Sequence, residues 1–181
     1  MDDLLTRLGK ALAYVLRHRP DAVGLQLDSA GWVEIPALLS AMADAGHTIG
    51  EADLDRIVAG SDKKRYEVRA GRIRAAQGHS VRVELGLEPT IPPAVLYHGT
   101  VARFLEAIRR EGLRPGERTH VHLSADASTA RQVGERRGAP VVLEIEAKRM
   151  YADGHSFLLA ANGVWLVAHV PPDYLALTDV S

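Results

Sequence analysis

The sequence predicts an α+β protein of two lobes. Apolar residues recur at helical spacing through much of 4–58, and a short hairpin pattern follows them. The stretch 85–93 is rich in proline and glycine and has no helical period. Beyond it, β-rich and helical segments alternate irregularly, which favours a sheet-centred lobe over regular βαβ units. We therefore expect one lobe at 1–86, a linker at 87–93 and a second lobe at 94–181.

The first lobe is predicted to contain three helices and a hairpin. An apolar stripe marks a first helix that ends near Pro20, because proline disfavours helix at the residue before it. Two further helices follow, and the last of them opens on a capping box formed by Thr48 and Glu51. Alternating residues at 63–68 and 72–75 predict two strands joined by a turn. Helices followed by a hairpin indicate a winged-helix lobe.

The second lobe is predicted to be a mixed α/β unit built around a sheet. Its β-rich segments contain many branched apolar residues, and its helical segments have apolar residues on one side. The predicted strands lie at 94–97, 120–123, 141–145 and 163–170, and the predicted helices lie at 101–111 and about 127–137.

The composition excludes several classes of protein. The chain contains no cysteine, which removes disulfides, thiolate metal ligands and a cysteine nucleophile and is compatible with a reducing cytosol. Its first residues do not read as a signal peptide, and no apolar run approaches the ~20 residues of a membrane-spanning helix. The formal net charge of −1 argues against coating nucleic acid by bulk electrostatics. We expect a cytoplasmic monomer with no membrane association, whose contacts with nucleic acid are local.

Basic residues are concentrated in three short clusters, which are candidate anion sites. Arg17, His18 and Arg19 lie at the end of the first predicted helix, where guanidinium groups can pair with phosphate oxygens and an imidazole can move a proton. The alternative is a cationic helix end that only complements the helix dipole. The cluster at 63–65 can reach a phosphate backbone or can simply protect a sheet edge. The third cluster lies at 114–118.

Three further segments place histidine beside glycine or hydroxyl residues near predicted strand ends. Segment 77–80 is either a ligand-contacting loop or a satisfied turn. Segments 98–100 and 122–124 are candidates for binding an anionic or ribose-bearing ligand, with Gly99 permitting close approach and Thr100 capping a helix. No third ligand at suitable spacing completes a zinc site with the two histidines, so we expect no metal. The alternative is a pair of core histidines.

Seven strings carry a likeness to a known family. They are LGKALAYVLRHRP, LDSAGWVEI, SDKKRY, IRAAQGHS, LYHGT, GERTHVHLS and NGVWL. In this order they resemble the RNA 2′-phosphotransferase family, known from tRNA splicing, and the likeness runs nearly end to end.

The resemblance implies a fold and a set of site residues. It implies an N-terminal winged-helix lobe that binds RNA, a C-terminal ADP-ribosyltransferase-like lobe that binds NAD, and an active site in the cleft between them. The family's catalytic Arg-His-Arg-Arg tetrad falls on Arg17, His18, Arg65 and Arg118. The residues that match its NAD-binding strands are His98, Gly99, Thr100, His122, Leu123 and Ser124.

The resemblance also implies a reaction in two steps. An RNA 2′-phosphate attacks NAD, which gives nicotinamide and an RNA-phospho-ADP-ribose intermediate. A ribose hydroxyl then attacks the phosphate, which releases RNA with a 2′-hydroxyl and ADP-ribose 1″,2″-cyclic phosphate. One alternative is an ADP-ribosyltransferase that caps terminal phosphates of nucleic acids and stops after the first step. Another is an RNA-binding module that senses NAD without catalysis.

Overall fold

The computed structural model describes residues 3–61 and 64–177. Helices and small antiparallel sheets make up the chain, which confirms the α+β class. The chain divides into two compact units, Met1–Gly86 and Leu87–Ser181. Each unit has its own apolar core, and each is described separately below.

The first unit packs helices against a three-stranded antiparallel sheet in the order β1-β3-β2. Leu12, Leu16, Leu38 and Ile73 have no exposed surface and form the centre of its core. A 3₁₀ turn at Pro20–Val23 follows the first helix. The elements are α1 (Asp3–Arg17), β1 (Val33–Glu34), α2 (Ile35–Asp44), α3 (Glu51–Ala59), β2 (Tyr66–Arg69) and β3 (Arg72–Ala75).

Local chemistry explains where most of these elements begin and end. Helix α1 stops three residues before Pro20, as predicted. Ala70 and Gly71 both have positive φ, 50° and 74°, which is the backbone of a tight hairpin turn between β2 and β3. The predicted capping box is wrong, because Gly50 is the N-cap of α3 and no side chain caps that helix. The first strand of the hairpin starts at Tyr66, and Lys63 of the predicted basic cluster lies outside the described residues.

The second unit contains two three-stranded antiparallel sheets, ordered β4-β6-β9 and β5-β8-β7. Tyr97 and Ser124 exchange backbone hydrogen bonds of 2.9 and 2.8 Å, so β4 and the end of β5 are also paired. The elements are β4 (Leu96–Val101), α4 (Leu105–Glu111), β5 (Val121–Leu123), α5 (Ala127–Glu135), β6 (Pro140–Ile145), α6 (Ala147–Ala152), β7 (Phe157–Leu159), β8 (Trp165–Val167) and β9 (Leu175–Leu177).

Helix α5 packs directly on strand β4 through two glycines. A Cβ atom added at Gly99 would lie 1.8 Å from the carbonyl oxygen of Ala130, and one at Gly134 would lie 2.9 Å from that of Thr100. Only residues without a side chain allow the two backbones to approach so closely. The carboxyl end of α5 is therefore held beside the middle of β4.

The stretch predicted as a linker, 87–93, is hydrogen-bonded to strand β7 of the second unit. The amide of Thr90 donates a 2.8 Å hydrogen bond to the carbonyl of Phe157, and Pro89 forms a bridge with Leu158. These contacts place part of 87–93 along strand β7. Its three prolines explain why it forms no longer strand of its own.

Candidate functional site

In the first unit, the end of α1 presents Arg17 and His18 to a loop that comes much later in the sequence. The backbone amides of Ser80 and Val81 donate to the carbonyl of Arg17, at 2.9 and 3.4 Å. The Ser80 hydroxyl lies 2.9 Å from Nδ1 of His18, and the Tyr14 ring lies 5.9 Å from the His18 ring. The backbone of Arg17 and the side chain of His18 are thus both held by contacts with one loop.

His79 lies beneath this pair and is almost completely buried, with 1% of its surface exposed. Burial, together with the positive charges of Arg17, Arg74 and His18, lowers the pKa of His79 to about 4. Its Nε2 atom makes no hydrogen bond within the described residues. The ring is therefore neutral at physiological pH and adds no positive charge to the cluster above it.

Arg65 and Arg17 both lie close enough to Tyr66 for their charges to affect its pKa. The Arg65 side chain is exposed, and its backbone is held by a 3.1 Å bond from its amide to the Ser61 hydroxyl and a 2.9 Å bond from the Ala76 amide to its carbonyl. Burial raises the pKa of Tyr66, whereas the charges of Arg17 and Arg65 both lower it. The first unit therefore brings together three of the four predicted tetrad positions.

In the second unit, Arg118 lies beside the two predicted histidines. Its Nη1 donates to Nδ1 of His122 at 2.8 Å, and Nδ1 of His98 lies 3.0 Å from the backbone carbonyl of His122. A guanidinium can only donate and a carbonyl can only accept. His122 therefore accepts at Nδ1, and His98 carries its proton on Nδ1. Burial lowers the pKa of His98, and nearby Arg137 and Arg118 lower it further.

The predicted helix cap at Thr100 is wrong and Gly99 has a packing role, whereas contact of either residue with NAD stays a prediction. Strand β4 continues through Val101, so His98 lies within the strand and Thr100 is a buried strand residue, with 2% exposure, that caps no helix. The position where a Gly99 side chain would lie is filled by the backbone of α5, which leaves no room there for a ligand. Leu123 is buried in the core, and Ser124 pairs with Tyr97 through its backbone.

The sequence reasoning missed two arginines beside this group. Arg136 and Arg137 directly follow α5, and their charges lower the pKa of Arg118 after the larger effect of its burial. Within the part of the chain that the structure describes, no carboxylate forms a salt bridge with Arg118, Arg136 or Arg137. The double arginine is visible in the sequence, but only the packing of α5 on β4 shows that it lies near His98.

Residues 3–61 and 64–177 contain no group of three or more histidine, aspartate or glutamate side chains that is arranged to hold a metal ion. None of the helices in these ranges is long and apolar enough to cross a membrane.

The fold and these two clusters define an α+β protein whose clustered cationic groups suit phosphate-bearing ligands. A family model described as "RNA 2′-phosphotransferase, Tpt1 / KptA family" matches residues 3–169. The chain belongs to this family.

Curated relatives match the chain over nearly its whole length. A protein from Agrobacterium fabrum is 55% identical over 175 residues, covering 96% of this chain and 94% of the relative. One from Streptomyces coelicolor is 54% identical over 169 residues, covering 93% of each, and one from Hahella chejuensis is 49% identical over 183 residues, covering 100% and 98%. Each of the three is named "Probable RNA 2′-phosphotransferase".

Proposed function

We propose that the protein is an NAD-dependent RNA 2′-phosphotransferase. It removes an internal 2′-phosphate from RNA and transfers it to ADP-ribose, with release of nicotinamide. Family membership supports the transfer of an RNA 2′-phosphate. We further propose that NAD provides the ADP-ribose that accepts the phosphate, and that the residues named below act on it.

The observation that carries the proposal is the pair of cationic clusters, one in each unit. Arg17, His18 and Arg65 form the first, and Arg118 with Arg137 forms the centre of the second. The substrates are a phosphate dianion and a pyrophosphate, which repel each other. Fixed guanidinium groups offset this repulsion and position the two reactants, and such positioning is a large part of phosphate chemistry.

The second unit suits the pyrophosphate of NAD. Around His98 and Arg118, the charges that affect the pKa values are all positive. A cationic site whose arginines form no salt bridge among the described residues favours a dianionic ligand. His98, His122 and Ser124 are the proposed contacts to NAD, whereas Gly99, Thr100 and Leu123 act by shaping the strands that carry them.

In the first proposed step, an oxygen of the RNA 2′-phosphate forms a bond to the anomeric carbon of the nicotinamide ribose. The bond from that carbon to nicotinamide breaks, and nicotinamide leaves as a neutral base. The nucleophile is already ionised, so no general base is required. Arg17 and Arg65 would hold the phosphate, and Arg118 would offset the charge of the pyrophosphate.

In the second step, the adjacent ribose hydroxyl forms a bond to phosphorus, and the bond to the RNA 2′-oxygen breaks. The attacking hydroxyl loses one proton and the departing oxygen takes up one, so the step is proton-neutral overall. His18 is assigned the proton delivered to the leaving oxygen. Arg17 and Arg65, which lie in the same unit as His18, are assigned the charge that builds on the phosphoryl oxygens.

The decisive experiment incubates the protein with NAD and a short RNA that carries one internal 2′-phosphate. We expect nicotinamide, ADP-ribose 1″,2″-cyclic phosphate and RNA with a 2′-hydroxyl in equal amounts, and no dephosphorylation when NAD is omitted. Accumulation of ADP-ribosylated RNA without cyclic phosphate would instead indicate an enzyme that stops after the first step. Binding without nicotinamide release would indicate a non-catalytic module.

Arg65→Ala tests the assignment of the first cluster. Removing a transition-state contact of this kind should reduce kcat about a hundredfold or more. Arg69→Ala is the matched control, because Arg69 is also an exposed arginine of this hairpin and lies outside the cluster. Equal activity of folded Arg65→Ala and Arg69→Ala proteins would remove Arg65 from the mechanism.

A further inference from the structure

The loop at 77–81 has a role that the proposed reaction does not yet include. We propose that Ser80 is a positioning residue for His18, and that the loop aligns the end of α1 for catalysis. The inference rests on the proposed function, because it assigns His18 a proton transfer. Its structural part concerns one side-chain contact and can be tested separately.

The loop is attached to α1 through the backbone. The last carbonyl groups of an α-helix have no partner within the helix. Here the carbonyl of Arg17 accepts from the amides of Ser80 and Val81, at 2.9 and 3.4 Å. The loop therefore supplies the hydrogen bonds that the helix end lacks, and it fixes the backbone from which Arg17 and His18 project.

The residues before Ser80 explain how the loop reaches this position. Gly78 has a φ of +91°, a conformation that glycine adopts at little cost. The turn places His79 inside the unit, where its ring lies 3.5 Å from the position of a Cβ added at Gly31. With His79 buried as an anchor, the next side chain faces outward, and the exposed Ser80 hydroxyl lies 2.9 Å from Nδ1 of His18.

A hydroxyl suits a histidine that changes its protonation state. It can donate to Nδ1 of a neutral ring and can accept from the N–H of a protonated ring. Ser80 can therefore keep the same contact in both states of His18. A carboxylate would favour the protonated ring, and a methyl group would support neither state.

The contact also selects the nitrogen that exchanges protons with the substrate. Because Nδ1 of His18 is hydrogen-bonded to the Ser80 hydroxyl, we assign the proposed proton transfer to the leaving 2′-oxygen to Nε2. The Tyr14 ring, 5.9 Å away, further limits the orientation of the imidazole. Loss of the Ser80 hydroxyl should therefore impair the chemical step more than the binding of either substrate.

The test compares Ser80→Ala and Ser80→Thr in the full-length protein. We expect Ser80→Ala to lower kcat about tenfold or more with KM for NAD unchanged, and to shift the basic limb of the kcat profile, where His18 loses the proton that it delivers. Ser80→Thr keeps a hydroxyl and should stay within about threefold of the wild type. Ser156→Ala removes an exposed serine of the second unit and serves as the control.

Nuclear magnetic resonance of histidine labelled with ¹⁵N gives a readout that needs no turnover. His18 signals are assigned with His18→Gln. In the wild type and in Ser80→Thr, the neutral ring should show one dominant tautomer, whereas Ser80→Ala should show mixed tautomers and a shifted titration of His18.

The outcomes separate the two proposals. An unchanged kcat profile and unchanged His18 signals in Ser80→Ala would overturn the role of Ser80. Equal loss of activity in Ser80→Ala and Ser80→Thr, with an unchanged His18 tautomer, would also overturn it. If the wild type shows no turnover while Ser80→Ala still changes the His18 signals, the proposed reaction fails and the Ser80–His18 contact stands.

Discussion

Among single residues, His79 connects the site to the stability of the first unit most directly. It is buried beside Arg17 and Arg74 and is neutral when the protein is folded. In the unfolded chain the same ring is in water and takes up a proton more readily. Acid therefore favours the unfolded state through this residue.

The size and pH range of this effect follow from the pKa of His79, which falls from 6.5 to about 4 on folding. Between these values the unfolded state binds more protons, so the free energy of unfolding rises with pH. On acidification the stability is lost from about pH 6.5 downward, and His79 accounts for a loss of about 3 kcal/mol by pH 4. Denaturant unfolding at a series of pH values measures this slope.

His79→Phe and His79→Gln isolate the contribution of the ring. Both substitutions remove the titrating group, so their free energies of unfolding should depend less on pH than that of the wild type between pH 6.5 and 4. Other acidic and histidine groups are the same in all three proteins. A slope equal to that of the wild type in both variants would show that His79 is protonated in the folded protein.

At the scale of elements, the contact between β4 and α5 determines the geometry of the second cluster. Gly99 and Gly134 let the helix lie on the strand, and the helix then ends beside His98. Arg136 and Arg137 follow at once and face no carboxylate in a salt bridge within the described residues. The positive charge near His98 thus depends on backbone packing.

Gly99→Ala should disrupt this packing. The added methyl group would lie 1.8 Å from the carbonyl oxygen of Ala130, so strand and helix must separate. We expect a loss of about 3 kcal/mol or more in stability, at the upper end of overpacking effects. Thermal unfolding measures the loss, and the proposed binding of NAD should weaken in the fraction that stays folded.

Gly9→Ala is the matched control for this prediction. Gly9 lies within α1, where an added Cβ would meet Ile57 at an ordinary distance of 3.4 Å. Alanine favours helix over glycine by up to about 1 kcal/mol, so this change should be neutral or stabilising. Similar unfolding temperatures for the two variants would contradict the packing account.

The sequence predicted elements well where a local signal sets their limits. The stripe of α1, the glycine turn of the hairpin and the start of α5 after Asp126 are of this kind, and Asp126 accepts a 2.7 Å bond from the amide of Thr129. Strand β4 was predicted too short, because its length is set by pairing with β6, up to Val101 opposite Pro140. Strands β7 and β9 were missed for the same reason.

The candidate site was predictable in its residue types and not in its arrangement. The order of the motifs along the chain pointed to Arg17 and Arg118. It did not indicate that Arg17 contacts the loop at Ser80 or that Arg118 contacts His122. Ser80 is 62 positions from His18, and no periodicity relates them. The packing role of Gly99 was not predicted, because a glycine required for packing cannot be distinguished in sequence from one required for ligand access.

At the scale of the whole molecule, each of the two units has its own apolar core and its own cluster of positive charge. The net charge is only −1, although each unit carries a local cationic cluster. Attraction of RNA is therefore limited to short range, within the Debye length of about 8 Å at physiological salt. The apolar clusters of the two units share no residue, so each unit buries its own surface.

Separate cores predict that damage to one unit leaves the other protected. Phe157 has no exposed surface and lies in the second core, and Phe157→Ala should destabilise that unit by about 3–5 kcal/mol. Hydrogen exchange should then accelerate across β4 to β8, while the amides of α1 and β3 keep their protection. Leu38→Ala, at an equally buried site of the first core, should give the reverse pattern. Equal acceleration in both units for either variant would mean that the two cores unfold as one cooperative structure.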